Sequence, residues 1–258
     1  MKKLLLVCVV LFTIQGLIAQ NTYILAGKLL NVATGKIESK KTIVVHENKI
    51  LEVFDGYVQP RNKIDKVINL KDKVVMPGLI DMHTHISEAS SGDLIEFYTK
   101  TQQEQLKVGR VNVEKTLKAG FTTVRDLGVY IAGTDKKLRD EINADKIPGP
   151  RMKISGYYLS IPGGGGDVAV PDYEGKVPDQ IRRGITKGVE NFRVKAEKLV
   201  SGGADQIKLI ASGAVWAYGS VPGNPEMSPE EIAAVVAVAK DAYMNVIAHA
   251  HGAISQNG

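Results

Sequence analysis

An alternation of strand-like and helix-like segments, which begins at residue 74, constrains the fold most strongly. Five short apolar segments are separated by longer polar stretches of helix-forming composition. The strand candidates are residues 74–86, 121–127, 151–159, 206–211 and 245–249. Repeated β-then-α units need crossover connections, and these place the strands in a parallel sheet. A βα barrel and an open doubly wound sheet both fit this order.

Helices are predicted between these strands at residues 93–118, 134–144, 178–200 and 228–243. The last helix has the clearest start, because a Ser-Pro-Glu-Glu sequence at its beginning is typical of a capped first turn. A complete eight-stranded barrel takes roughly 250 residues. If the α/β fold is a barrel, we therefore expect an incomplete one, with about five of its eight strands.

Residues 21–73 show a different pattern, with short apolar runs separated by turn residues. Asn48 and Lys49 lie between two β-branched runs, which predicts a hairpin. We expect a small antiparallel β unit. At about 50 residues it is near the lower size limit for a stable domain, so it should pack on something larger.

Residues 1–20 have the pattern of a secretory signal peptide. Lys2 and Lys3 precede an apolar run over residues 4–18, and Ala19 offers a cleavage site. A retained membrane anchor is the alternative, but a span needs about 20 apolar residues and this run is shorter. We therefore expect a secreted or periplasmic protein with no stable membrane anchor after cleavage.

Composition excludes two further classes of function. Cys8 is the only cysteine and lies in the predicted signal peptide, so the mature chain would have neither disulfides nor cysteine metal ligands. The formal net charge is +5, and the basic residues are scattered without a stripe of interleaved aromatic residues. Nucleic acid is therefore not an expected partner.

Two His-x-His pairs follow strand candidates and carry the main chemical signal. His83 and His85 end the first strand of the α/β part, and His249 and His251 end the fifth. Side chains two residues apart on a strand share a face, and parallel strands bring their carboxyl ends to one edge. Neutral imidazoles are ligands for divalent cations. Surface histidines are the alternative, but two pairs in corresponding places favour a metal site; His46 has no predicted role.

Lys208 lies in the middle of the apolar fourth strand of this part. In one interpretation the strand is at an edge and the lysine reaches solvent along its aliphatic stem. In the other the amine points inward and loses its charge, because burial and nearby cations lower the pKa of a lysine. A neutral amine can react with carbon dioxide to give a carbamate, whose oxygens can bridge two metal ions.

Together these segments resemble the amidohydrolase superfamily, and most of all its imidazolonepropionase-like branch, which includes metal-dependent prolidases and dipeptidases. The matching stretches are residues 75–85, 122–128, 154–160, 203–208 and 248–252. The resemblance implies an α/β fold built as an incomplete (β/α)8 TIM-type barrel over residues 74–258. Residues 21–73 would be the N-terminal part of a small β-sandwich domain.

The resemblance also implies a ligand set. His83 and His85 would bind the more buried of two divalent cations, for which Zn²⁺ is the expected metal. Lys208, carrying carbon dioxide as a carbamate, would bridge the two cations, and His249 would bind the second. His251 would lie near the substrate, although the order within this pair could be reversed.

Three further residues have weaker predicted roles. Asp126, in the second strand, either supports a metal ligand or forms a buried pair with Arg125 that holds the barrel together. Trp216 and Tyr218 follow the fourth strand and would either line a substrate pocket or pack within their own loop. Family members often have a histidine in the glycine-rich loop after the third strand, where this chain has Gly165. This difference puts substrate specificity by analogy in doubt.

The expected reaction is hydrolysis of an amide bond in a small amide or dipeptide substrate, as in a secreted Xaa-Pro dipeptidase, by a metal-activated hydroxide. The family has a further metal-binding histidine after strand six and an aspartate after strand eight, neither of which occurs before Gly258. The alternative is therefore a truncated fragment that binds metal weakly or acts only as a binding module, and we expect little activity from these 258 residues alone. Open strand edges would also permit a homo-oligomer.

Overall fold

A computed structural model describes residues 20–88, 95–167, 170, 173, 177–215 and 217–252. The chain divides into two compact units between Pro77 and Gly78. The predicted signal peptide lies almost entirely outside the described residues, which begin at Gln20. Each unit is described separately below.

The first unit is a four-stranded sheet with the strand order β3-β2-β1-β4. Its strands are β1 (Asn21–Asn31), β2 (Lys36–His46), β3 (Lys49–Asp55) and β4 (Lys66–Val75). The prediction of a purely antiparallel unit is wrong, because β4 pairs with β1 in parallel. Residues 56–65 therefore have to cross back over the sheet before β4 begins, and the sheet is mixed.

The predicted hairpin is present between β2 and β3, but its turn lies one residue earlier than predicted. Glu47 and Asn48 form the turn, and His46 pairs with Lys49. Glu47 has a positive φ of 50°, a conformation that a two-residue hairpin turn demands. The β-branched run that follows therefore begins pairing at Lys49.

Among the described residues, the second unit has five strands, all in the predicted segments. They are β5 (Leu79–Thr84), β6 (Phe121–Asp126), β7 (Arg151–Ile154), β8 (Gln206–Ile210) and β9 (Asn245–His249). β5, β6 and β7 pair in parallel in chain order, and so do β8 and β9. The α/β prediction is therefore confirmed.

The segment after β7 continues the array to β8. The Leu159 amide donates to the Lys208 carbonyl at 3.0 Å, and the Ile210 amide donates to the Leu159 carbonyl at 2.9 Å. Leu159 thereby forms a parallel bridge with Leu209. All five strands consequently run in the same direction, and their carboxyl ends lie at one edge.

The described residues of this unit include five α-helices. They are α1 (Glu96–Thr99), α2 (Gln102–Lys118), α3 (Thr134–Asn143), α4 (Val189–Ser201) and α5 (Pro229–Asp241). The predicted start of α5 is confirmed, since the Ser228 side chain accepts from the Glu231 amide in a capping box. The predicted helix over residues 93–118 is divided, because Thr101 forms a second capping box that starts α2. Within the described residues, none of the helices is long and apolar enough to cross a membrane.

The predicted start of α4 at residue 178 is wrong by about three turns. Residues Asp179–Ile181 form only a 3-10 turn, and α4 begins at Val189. Gly184 packs directly on the backbone of the segment after β7, where an added Cβ would lie 1.5 Å from the Tyr158 carbonyl oxygen. This close approach is possible only for glycine, and it keeps the chain out of a helix until after Gly188.

Two apolar clusters fix the strands to their helices. In the first, α4 and α5 pack on β8 through buried side chains that include Phe192, Leu199, Ile207, Leu209 and Val235. In the second, α2 and α3 pack on β6 and β7 through Val113, Val124, Leu138, Met152 and Ile154. Packed helices thus fix β6, β7 and β8, and Lys208 lies in the last of these strands.

Candidate functional site

The first histidine pair lies at the carboxyl end of β5. His83 is in the strand and His85 follows it, and their rings meet edge to face with centroids 5.4 Å apart. Both rings are open to solvent on one side, yet burial is the main cause that lowers the pKa of each. For His83 the positive charge of Lys208 is the second cause. Both imidazoles are therefore held in the neutral form that can bind a metal ion.

Lys208 lies in the centre of β8 and is only 3% exposed. β8 has neighbours on both sides, β9 on one and the Leu159 segment on the other. The interpretation of an edge strand with a solvent-reaching lysine is therefore wrong. Burial and, to a smaller extent, the charge of the nearby Arg125 lower the pKa of the Lys208 amine to about 8.

The second histidine pair lies at the carboxyl end of β9, with the rings of His249 and His251 4.4 Å apart. The His249 Nε2 atom is buried and has no hydrogen-bond partner among the described residues. His251 is exposed, and its backbone amide donates to the Ser212 hydroxyl at 2.9 Å. A buried ring nitrogen without a partner is costly, so His249 is the member of the pair that is poised to accept a ligand.

Side chains from three strands influence the charge of His249. Burial is the main cause that lowers the pKa of His249, followed by the charges of His251 and Lys208 and, more weakly, that of His83. The ends of β5, β8 and β9 therefore bring His83, Lys208 and His249 into one region.

This donor set suits a divalent cation. Neutral imidazoles are donors that Zn²⁺ prefers, and the orphaned His249 Nε2 has no competing partner in the described part of the chain. Within the same residues, no group of three or more His, Cys, Asp or Glu side chains could hold a metal ion by itself.

Asp126 at the end of β6 holds the segment that carries the histidines. Its buried carboxylate accepts from the Ile86 amide at 2.8 Å, the Ser87 hydroxyl at 2.6 Å and the Thr84 hydroxyl at 3.2 Å. Burial raises its pKa to about 7. The Arg125 side chain donates to the Met82 carbonyl at 2.7 Å. Arg125 and Asp126 therefore both form hydrogen bonds with residues in or just after β5.

Tyr158 is a site residue that the sequence did not indicate. Its hydroxyl lies 3.0 Å from His85 Nδ1 and donates to the Gly128 carbonyl at 3.0 Å, while His85 Nδ1 is 3.3 Å from the same carbonyl. These contacts fit a proton on Nδ1 and a free electron pair on Nε2. Gly128 has a φ of 112°, and a Cβ there would come within 2.6 Å of the Tyr158 ring. The glycine of the second-strand motif was the only available signal for this close contact.

Glu88 is a second unexpected residue, located three positions after His85. Burial raises the pKa of its carboxyl to about 8, although the hydrogen bond from the Tyr130 amide and the neighbouring Tyr158 hydroxyl act in the opposite direction. Tyr158 therefore connects a buried carboxyl group to His85.

The described contacts do not connect the remaining predicted residues to the histidine pairs or to Lys208. Trp216 lies outside the described residues, and Tyr218 is 51% exposed in the loop after β8. Gly165 packs against that loop: its amide donates to a Glu226 carboxylate oxygen at 2.7 Å, and an added Cβ would lie 3.0 Å from the Ala214 amide nitrogen. A larger side chain at position 165 would thus require the loop to move.

The fold and the donor set define the class of protein. The chain belongs to the Amidohydrolase family, whose sequence profile matches residues 74–257. The resemblance inferred from the sequence is therefore confirmed, and the relatives described next include prolidases.

Aspergillus niger ochratoxinase is 30% identical over 199 residues, which are 69% of this chain and 39% of the ochratoxinase. The crystal structure of a Xaa-Pro dipeptidase with bound methionine in its active site superposes with a TM-score of 0.80 at 32% identity, covering 92% of this chain and 58% of the dipeptidase. A prolidase complexed with N-methylphosphonate-L-proline gives a TM-score of 0.82 at 29% identity, with coverages of 92% and 57%. The chain thus spans less than two thirds of the length of each of these relatives.

Proposed function

We propose that this chain provides metal-binding residues of a hydrolase that cleaves an amide bond in a small amide or dipeptide substrate. The observation that carries the proposal is the convergence of His83, Lys208 and His249 from three parallel strands, together with the orphaned His249 Nε2. Family membership supports the same class of reaction.

In this proposal His83 and His85 bind one Zn²⁺, His249 binds a second, and Lys208 bridges them as a carbamate. The bound cations would supply Lewis-acid activation of the scissile carbonyl and of water. The lowered pKa of Lys208 leaves part of the amine neutral near pH 7. The neutral Nζ can form an N–C bond to carbon dioxide and release one proton to solvent, which leaves an anionic carbamate.

The protein residues around the ligands have positioning roles. Tyr158 and the Gly128 carbonyl hold the His85 ring with Nε2 free, and Asp126 fixes the segment on which His85 lies. His251, which is exposed beside His249, would contact a substrate. Side chains held in this way keep a ligand set ready without reorganisation.

The finer proposal is a secreted or periplasmic Xaa-Pro dipeptidase-like enzyme whose strands β5–β9 form part of a (β/α)8 barrel. Similarity to a Xaa-Pro dipeptidase and to a prolidase complex supports the dipeptide substrate, and the basic and apolar N-terminal segment supports export. The similarity to ochratoxinase supports only the general class of amide hydrolysis.

Metal analysis of the purified protein tests the ligand set. We expect bound zinc in the wild-type protein and large losses in His83→Ala and Lys208→Ala. His46→Ala is the matched control, because His46 binds Asn21 in the first unit and should keep its metal content unchanged. Near-stoichiometric zinc in both His83→Ala and Lys208→Ala would contradict the proposed site.

Two substrates distinguish the general proposal of amide hydrolysis from the finer proposal of Xaa-Pro dipeptidase activity. Full-length protein loaded with zinc is assayed with Ala-Pro and with an N-acyl amino acid. Turnover of Ala-Pro supports the dipeptidase, whereas turnover of the N-acyl amino acid alone would leave the amidohydrolase and remove the Xaa-Pro specificity. No turnover of either compound would contradict both levels.

A further inference from the structure

A cavity of about 440 Å³ lies in the second unit, beside the end of β7. Residues of α3 and α4 form much of its wall, together with Tyr157 and Arg183. Ligand pockets in proteins commonly have volumes of roughly 300–1,000 Å³. The cavity is thus large enough for a small organic molecule.

Four cationic side chains line this cavity: Lys136, Arg183, Lys195 and Lys198. Lys136 forms an ion pair with Asp140 at 2.7 Å. The other three have no carboxylate partner in the part of the chain that the structure describes. The cavity wall therefore carries excess positive charge.

The acidic residues of α4 do not neutralise this charge, because they bind elsewhere. Glu190 and Glu197 both form ion pairs with Arg193. Asp135 also lines the cavity, but its buried carboxylate accepts from the Gly156 amide and the Lys136 amide, both at 2.8 Å. These three carboxylates are thus already engaged.

The three cations are close to one another. The Lys195 ammonium donates to the Arg183 carbonyl oxygen, which ties these two residues together. Burial lowers the pKa of Lys195, and the charges of Lys198 and Arg183 lower it further. Like charges that gather in this way repel each other, and a bound anion removes the repulsion.

The remaining wall is apolar. Leu199, Ala204 and Ile154 contribute aliphatic surface, and Tyr157 contributes an aromatic ring. Tyr157 lines this cavity while the adjacent Tyr158 contacts His85, so the cavity differs from the histidine cluster but neighbours it along the chain.

We propose that this cavity is a binding site for a small organic anion, a phosphate or carboxylate attached to an apolar group, held by Arg183, Lys195 and Lys198. The anionic group would contact the three cations, and the apolar group would lie against Tyr157 and Leu199. The site does not depend on metal binding or on the proposed hydrolysis.

Isothermal titration calorimetry on the full chain at low ionic strength tests the site with defined probes. Phenyl phosphate and benzoate represent the two anions with an apolar group, inorganic phosphate the anion alone, and benzyl alcohol the apolar group alone. We expect saturable binding of phenyl phosphate or benzoate, about tenfold weaker binding of inorganic phosphate and none of benzyl alcohol. The stronger of the two aromatic anions identifies the anionic group.

Charge-removing variants locate the binding. Lys195→Met and Arg183→Gln should each weaken the preferred probe about tenfold. Lys240→Met, which removes one exposed lysine from the end of α5, is the matched control and should leave the affinity unchanged. Arg183 is exposed, so its substitution does not endanger folding. No saturable binding of either aromatic anion, or equal binding by wild type and both variants, would overturn the proposal.

Discussion

Replacing Asp126 tests how the histidine-bearing segment is held in place. In Asp126→Ala, the buried Ser87 hydroxyl and the Ile86 amide lose their acceptor, whereas the Thr84 hydroxyl keeps the Arg125 carbonyl at 3.3 Å. Each buried polar group left without a partner costs roughly 1–3 kcal/mol. Two such groups give an expected loss of about 4 kcal/mol in the free energy of unfolding.

Asp126→Asn should be much milder. The asparagine oxygen can still accept from the Ile86 amide, and the Ser87 hydroxyl can rotate to accept from the new amide group. The expected loss is about 1 kcal/mol. Because burial raises the pKa of Asp126 to about 7, removal of the charge also recovers part of its desolvation cost above that pH.

Urea unfolding of the wild type and both variants measures these losses, and zinc content is measured on the same samples. Asp241→Asn, at the exposed end of α5, is the control and should change stability by less than about 0.5 kcal/mol. Zinc affinity should fall in the same order as stability. Equal unfolding free energies for Asp126→Ala and wild type, or equal losses for the two variants, would refute the reasoning.

Three further predictions follow from individual contacts. Glu88 has a pKa of about 8 in the folded protein and about 4.3 when unfolded, so its contribution to stability is complete below pH about 4 and is lost as the pH rises towards 8. Urea unfolding across this range should therefore show that the free energy of unfolding of Glu88→Gln rises relative to that of the wild type as the pH rises. A difference between the two proteins that is the same at every pH would contradict this. Tyr158→Phe should weaken zinc binding about tenfold in a competition titration, since His85 loses one of its two Nδ1 partners; an unchanged affinity would show that the Gly128 carbonyl suffices. Ser228→Ala should lower the free energy of unfolding by about 1 kcal/mol through loss of the α5 cap, and a thermal denaturation curve identical to that of the wild type would argue against it.

The strands of the second unit were predictable because each contains apolar residues in a short segment bounded by turn residues, and the α5 start because its capping box is entirely local. The start of α4 was not predictable. It depends on the approach of Gly184 to the Tyr158 carbonyl, a contact between residues that are distant in sequence. The parallel pairing of β1 and β4 was missed for the same reason, since local patterns do not record which strand lies beside which.

For the candidate site, the sequence showed which residues could bind a metal ion but not what holds them. The histidine pairs and Lys208 stand out because their residue types are unusual at those positions. Tyr158 is separated from His85 by 73 residues, and in the sequence it cannot be distinguished from an ordinary core aromatic residue. Glu88 lies in a polar stretch where nothing distinguishes a buried carboxyl from an exposed one.

His83 lies on β5 and His249 lies on β9, so the proposed metal site requires the array of strands to bend. Neighbouring strands lie about 4.8 Å apart, so a flat array would separate the first and fifth strands by roughly 19 Å. Curling of the array would shorten this span. Zinc affinity would then depend on the curvature of the strand array. A substitution that flattens the array would release the metal without altering a single ligand.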